Sequence, residues 1–131
     1  FYDNQLTVLP EGNQYDLFGW MIPIQPNKFS LSHTLWSWLT PSKAYRLNTN
    51  LNGEARAFVV SNEYDQLLPM NIYPVQLLKS CLVEDIDAME GLGIYEIVPE
   101  DLALCEFACT SKQPVQQILQ TALDLVKVEC A

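Results

Sequence analysis

Positive charge is scarce in this sequence. Seven Lys and Arg stand against 16 Asp and Glu, and with the single His neutral the net charge is −9. The deficit is local. From Glu84 to Glu106 there are eight acidic residues and no Lys or Arg. Such a stretch repels nucleic-acid phosphates and anionic lipid headgroups, so neither is expected as a partner. It reads as a solvated acidic surface or as a docking face for a basic partner. Long apolar runs are also missing: none approaches the roughly 20 residues that a bilayer crossing needs, which predicts a soluble chain without a membrane span. Catalytic motifs are absent as well. The sequence contains no G-x-S-x-G, no Gly-rich phosphate loop, no H-E-x-x-H and no EF-hand pattern. His33 has no Cys or acid beside it in sequence and reads as a packing or surface residue. The acids Asp65, Glu84, Asp85 and Asp87 lack the turning glycine of a calcium loop and read as solvated.

What is present is apolar residue, 49% of the total, enough for a real core in a chain of 131 residues. That length suits one compact domain, or one domain with part of another. The opening Phe-Tyr-Asp, with no Met, reads as a piece of a longer protein. Gln5–Leu9 and Leu17–Ile22 read as short strands, the first closed by Pro10-Glu-Gly12 and the second by Pro23. Ser30 or Ser32 caps a helix running to about Leu39. The runs at 45–51 and 54–60 flank Asn52-Gly53 and predict a β-hairpin over about 45–60, because such a turn takes positive φ at both central residues. Residues 64–70 read as a turn, and Pro74 opens a helix with Val75, Leu78, Cys81 and Leu82 as its buried stripe. A short helix over Ile86–Leu92 ends at Gly93 in a left-handed cap. Ile94–Val98 reads as an extended link. Pro114 starts a last helix to about Glu129, with Val115, Ile118, Leu119, Ala122, Leu125 and Val126 on one face. The expected fold class is α+β: a small β-hairpin and strand region, then a helical bundle.

Four cysteines stand at 81, 105, 109 and 130, and only Cys105 and Cys109 are close in sequence. Pro99 at a first helical position and Glu100-Asp101 in the first turn predict a helix over 99–112. Its Leu102, Cys105 and Cys109 recur at i, i+3 and i+7 on one side. The pair reads as half of a metal site or as core thiols. A cubane cluster needs four thiolates, three of them from a tight C-x2-C-x2-C loop, and a zinc site needs two converging pairs. With Cys81 on a core stripe and Cys130 at a helix end, core thiols are the better reading. No metal is expected, with Cys105 and Cys109 as the candidates for one.

The residues also carry a resemblance. Asp101-Leu-Ala-Leu-Cys-Glu-Phe-Ala-Cys109, followed by Ser111-Lys112, resembles the C-terminal signature of the A-type subunits of the sodium-translocating NADH:quinone reductases. Leu17-Phe-Gly-Trp20, Asn52-Gly-Glu54 with Arg56-Ala57, and Leu68-Pro-Met70 with Ile72 and Leu77-Leu78 are similar to further motifs of that family, in order, from about residue 15 to the end. The resemblance implies a peripheral subunit on the cytoplasmic side of the bacterial inner membrane, resting chiefly on the B-type membrane subunit, with the C-type subunit as a further neighbour. It implies that residues 1–28 hold the last strand or strands of a β-grasp domain of the soluble-ligand-binding (SLBB) type, and residues 29–131 a mainly helical domain. Related subunits hold an iron–sulfur cluster in the comparable helical region. This sequence lacks the C-x2-C-x2-C loop, so the fold is expected without the cluster. Flavins, iron–sulfur, NADH and quinone are implied on other parts of the complex and no cofactor in this stretch. Quinone binding is linked with the family, and Trp20, Phe29, Trp36 and Trp38 are the aromatic candidates for contacting it. No catalytic residue is expected here, and the implied role is that of a structural and docking module, with a quinone-binding module or a Cys-ligated metal domain as the alternatives.

Overall fold

The computed structural model describes residues 5–14, 17–18, 28–29, 39 and 44–130. The chain divides into two compact units, Phe1–Asn52 and Gly53–Ala131. Within the first, residues 10–14 run beside residues 48–50. Thr49 N–H donates to the Pro10 carbonyl at 3.2 Å, and Gly12 N–H to Thr49 Oγ1 at 2.9 Å. The Asn50 side-chain amide donates to the Gln14 carbonyl at 2.6 Å. Gly12 marks the closest approach, for a Cβ there would sit 2.8 Å from Asn50 Cα, and only backbone movement would relieve that clash.

The second unit is built from helices. α1 spans Pro74–Leu82, opened by a proline whose missing N–H costs nothing at that position. It buries Val75, Leu77, Leu78 and Cys81. α2, Ile86–Gly91, is capped by Asp85, whose Oδ1 accepts the Ala88 N–H at 3.0 Å. Gly93 follows with φ +87°. An alanine Cβ there would meet nothing nearer than the Glu96 carboxyl at 3.6 Å, so the cost of Gly93→Ala is that of the backbone alone. A loss of about 1 kcal/mol is expected, read as a lower urea midpoint with unchanged slope; an unchanged midpoint would refute it.

Beyond Gly93 the chain makes a 3₁₀ turn at Ile94–Glu96, a second at Pro99–Leu102, and then α3, Ala103–Ala108. Asp101 ties the second turn on itself: Val98 N–H donates to its carboxylate at 3.1 Å, and its own N–H returns to the Val98 carbonyl at 3.0 Å. α4, Val115–Glu129, is the longest element and packs against α1, α3 and the Pro99–Leu102 turn. Leu102 and Leu119 are fully buried in the core, as are Met89 and Ile94. Pro114 stands at the head of α4 without a capping side chain of its own. Glu106 supplies one from α3, its Oε2 accepting the Gln116 N–H at 2.9 Å. A carboxylate at that end is favoured by the helix dipole as well as by the hydrogen bond.

Several expectations are corrected. The fold class is not α+β as far as the described residues extend, for no strand occurs among them. The hairpin over 45–60 lies wholly within them and does not form. Asn52 does adopt positive φ (48°), but Gly53 does not, so the two-residue turn lacks half of what it requires. The backbone of the two arms is also bonded elsewhere. Thr49 donates to Pro10, whereas Arg56 N–H donates to the Ser111 carbonyl at 2.8 Å and the Gln113 side chain donates to the Arg56 carbonyl. Gly53 has a different use: the stem of Lys112 lies over it, with Cγ and Cε 3.3 and 3.2 Å from where a Cβ would be. The strand proposed for residues 5–9 is irregular and exposed. Most of the strand proposed for 17–22, and the helix proposed for 30–39 except Leu39, lie outside the described residues. Residues 94–98 begin with the 3₁₀ turn and extend only at Ile97 and Val98. The helix expected over 99–112 ends at Ala108. Leu82, placed on the buried stripe of α1, is 51% exposed, and fully buried Leu77 takes up the stripe instead.

Candidate functional site

The densest gathering of reactive side chains lies where the turn at 62–67 meets the end of α3. The turn closes on Tyr64, whose carbonyl accepts the N–H groups of Leu67 and Leu68 at 3.0 and 2.9 Å. This fixes the Tyr64 backbone and sends its ring into the core, beside Phe58 at a centroid distance of 6.0 Å. The Tyr64 hydroxyl donates to Cys109 Sγ at 2.9 Å. The Gln113 N–H donates to the same sulfur at 3.4 Å. Two donors therefore converge on one buried sulfur, which serves as an acceptor.

Cys109 can play that part because it is no longer helical. Its φ and ψ are −55° and 114°, and its carbonyl accepts the Lys112 N–H at 3.2 Å across a tight turn, with Lys112 at φ +50°. Thr110 is held down by Glu63, which accepts its hydroxyl at 3.1 Å. Cys105 sits one helical turn earlier, fully buried.

The chemistry of this cluster is that of protonated groups. Burial, and then the hydrogen bond to Cys109, raises the Tyr64 phenol above its usual range. Burial likewise raises the Cys105 thiol, with the nearby Asp65 carboxylate and Cys109 adding to the effect. Burial pushes the Cys81 thiol up to about 11. A thiol held neutral and inside is a poor nucleophile and a poor metal ligand. The four cysteines are all free, and among the described residues no three Cys, His, Asp or Glu side chains converge as a metal would require. Cys81 does not join Cys105 and Cys109, and Cys130 is exposed at the far end of α4, its Sγ 3.9 Å from a Glu90 oxygen. The donor set does not fit a cubane cluster.

These raised values make stability depend on alkaline pH. Each group keeps its proton in the folded chain at a pH where the unfolded chain has lost it, so its contribution is complete below about pH 9 and is lost as pH rises through the folded value. For Cys81 that window is about 9 to 11, and the loss is on the order of 2 kcal/mol by its upper end. Urea midpoints are expected to be flat from pH 7 to 8.5 and to fall steeply above 9. A midpoint unchanged at pH 10.5 would contradict the burial argument.

Of the aromatic candidates, Trp20, Trp36 and Trp38 lie outside the described residues, as does His33. Phe29 is 44% exposed and meets Tyr45 edge-on, ring centroids 5.5 Å apart. Within the described set the structure joins Cys109 to Tyr64, a residue that sequence reasoning placed only in a turn. Glu106 was missed in the same way, as one acid among eight rather than the cap of α4.

Comparison with known proteins bears on the whole chain. No family model matches it. Curated relatives do, and each is the A-type subunit of a Na(+)-translocating NADH-quinone reductase. That of Neisseria meningitidis serogroup B is 38% identical over 128 residues, 98% of this chain and 28% of that protein. The Alcanivorax borkumensis protein is 39% identical over 126 residues, 96% of this chain and 28% of that protein. The Shewanella denitrificans protein is 37% identical over 128 residues, 98% of this chain and 29% of that protein. The chain thus spans a little over a quarter of the length of the relatives it matches. Among the described residues no helix is long and apolar enough to cross a membrane. With identity of this order along nearly its entire length, the chain belongs to the NqrA family, the A-type subunits of the Na(+)-translocating NADH-quinone reductases.

Proposed function

We propose that this chain is a structural and docking module of a sodium-translocating NADH-quinone reductase, lying peripherally on the cytoplasmic side of the membrane against the B-type membrane subunit, with the C-type subunit nearby. The observation that carries the reading is the 37–39% identity over almost the whole chain to proteins named as one subunit of that complex. The disposition of the reactive groups supports it. The tyrosine and two thiols that could do chemistry are turned inward and protonated, serving to fasten one turn to the next. The polar surface is left to acids: eight between residues 84 and 106, with no cation among them. A surface of one sign on a module of this kind acts by complementarity with neighbours.

Deleting this segment from the full-length NqrA protein tests the reading. The shortened protein is expected to lose co-purification with the membrane subunits, and sodium-dependent quinone reduction should fall in proportion to assembly. Full assembly without the segment would remove the docking role. Normal assembly with lost turnover would point instead to a direct part in the reaction.

A further inference from the structure

The stretch from Pro99 to Ala108 has two apolar sides, and the fold uses one. Leu102, Cys105 and Ala108 face inward and are buried. Glu100, Leu104 and Phe107 recur at i, i+4 and i+7 on the opposite side, where all three are exposed. Leu104 is 61% open to solvent and Phe107 49%. Helical spacing alone would put polar residues here.

Carboxylates frame this pair of apolar side chains. Glu100 and Asp101 stand at the start of the stretch. Glu63 stands at its end, gripping Thr110, three residues beyond Phe107. Glu106 lies beside Phe107 in sequence, its Oε2 turned to the head of α4. No Lys or Arg occurs between residues 84 and 111. The first cation after them, Lys112, lays its stem across Gly53. An apolar centre with an acidic frame and no base has a defined complement.

We propose that the outward face of α3, centred on Leu104, docks a segment of a neighbouring subunit that carries apolar side chains flanked by Lys or Arg. The proposal makes the docking reading specific and rests on it. The apolar centre gains by leaving water, and the frame selects the sign of the partner and speeds its approach. The six-residue helix is about 9 Å long, so the partner's basic groups should bracket its apolar ones at about that spacing. An acidic frame equally turns away anionic lipid headgroups.

The test is made in the full-length NqrA protein and the assembled reductase, with Leu104→Lys, Leu104→Glu and Glu100→Lys, and Val128→Lys as a control at another exposed site. Leu104→Lys loses the apolar contact and sets a cation against a basic partner. Retention of the NqrA protein by the membrane subunits is expected to weaken by about tenfold or more. Leu104→Glu should weaken it less, since the new carboxylate keeps the sign that the partner favours. Glu100→Lys should also weaken it, the wild-type interaction should decline with added salt, and the control should match wild type. Wild-type retention in both Leu104 variants overturns the proposal, as does a larger loss with Glu than with Lys. A lowered melting temperature of the purified Leu104→Lys protein would show that its own chain covers the face, and would overturn it too. If the deletion disrupts assembly while Leu104→Lys does not, this face alone is refuted. If the deletion is silent, the broader docking reading fails with it.

Discussion

Leu102→Ala is expected to destabilise the helical unit by about 3 kcal/mol, whereas Leu104→Ala, two residues on, should cost less than about 0.5 kcal/mol. The two leucines differ in nothing but phase. Leu102 closes the 3₁₀ turn at Pro99–Leu102 and has no exposed surface, with α4 packed against the turn. Truncating it removes buried methyl groups and leaves a cavity between a short turn and a long helix, neither of which can collapse freely. Leu104 is 61% exposed and leaves no cavity. For a domain of this size, about 3 kcal/mol is a large share of total stability and corresponds to a fall in Tm of more than about 10 °C. Thermal unfolding of the two variants side by side decides the matter. Equal shifts would mean that the phase of the helix is misassigned.

That phase was legible in the sequence, and the reason shows what a sequence can carry. Leu102, Cys105 and Cys109 were expected on one side by spacing, and all three are buried. α1, α2 and α4 were legible for the same kind of reason. A proline in the first turn, the acids and the glycine at helix ends, and the 3–4 spacing of apolar residues are instructions that a few neighbouring residues suffice to execute. Gly93 took the left-handed conformation expected of it. The misreadings share another feature: they turn on partners far away in the chain. Asn52-Gly53 is a hairpin signal only if the arms pair with each other, and Arg56 finds Ser111 instead. Asn52 kept its local preference for positive φ while the ladder that it implies did not follow. The end of α3 depends on Glu63 holding Thr110, 47 positions away. Glu106 looked like surface charge because its acceptor role becomes visible only when α4 folds back over α3. Local propensity is overridden where a long-range hydrogen bond competes for the same backbone.

The candidate site follows the same division, and it yields the largest effect to be measured on the helical unit. The thiols were visible as a spacing, but the residue that gives Cys109 its role was not, because Tyr64 sits in an irregular turn where no periodicity marks it. Tyr64→Ala is expected to cost about 4 kcal/mol, through loss of a side chain that leaves only 1% of the residue exposed. Tyr64→Phe keeps the ring and should cost only about 1 kcal/mol, because Cys109 Sγ still accepts from Gln113. Cys109→Ala is the more informative change. It removes a small side chain, yet it leaves the Tyr64 hydroxyl buried without its acceptor, and an orphaned donor adds about 1–3 kcal/mol to the lost packing. Adding Tyr64→Phe to Cys109→Ala removes that orphan, so the double variant should be less destabilised than the two single ones summed, by about 1 kcal/mol. Urea unfolding of the four proteins closes the cycle, and strict additivity would mean that the hydroxyl and the sulfur do not depend on each other. If the coupling is found, the sulfur of Cys109 is a fastener. It joins the turn that precedes α1 to the loop that precedes α4, and so sets the two longest helices in register through a single buried contact. The same sulfur then cannot be given up to a metal without loosening both helices, which is a physical reason for this cysteine to remain a thiol.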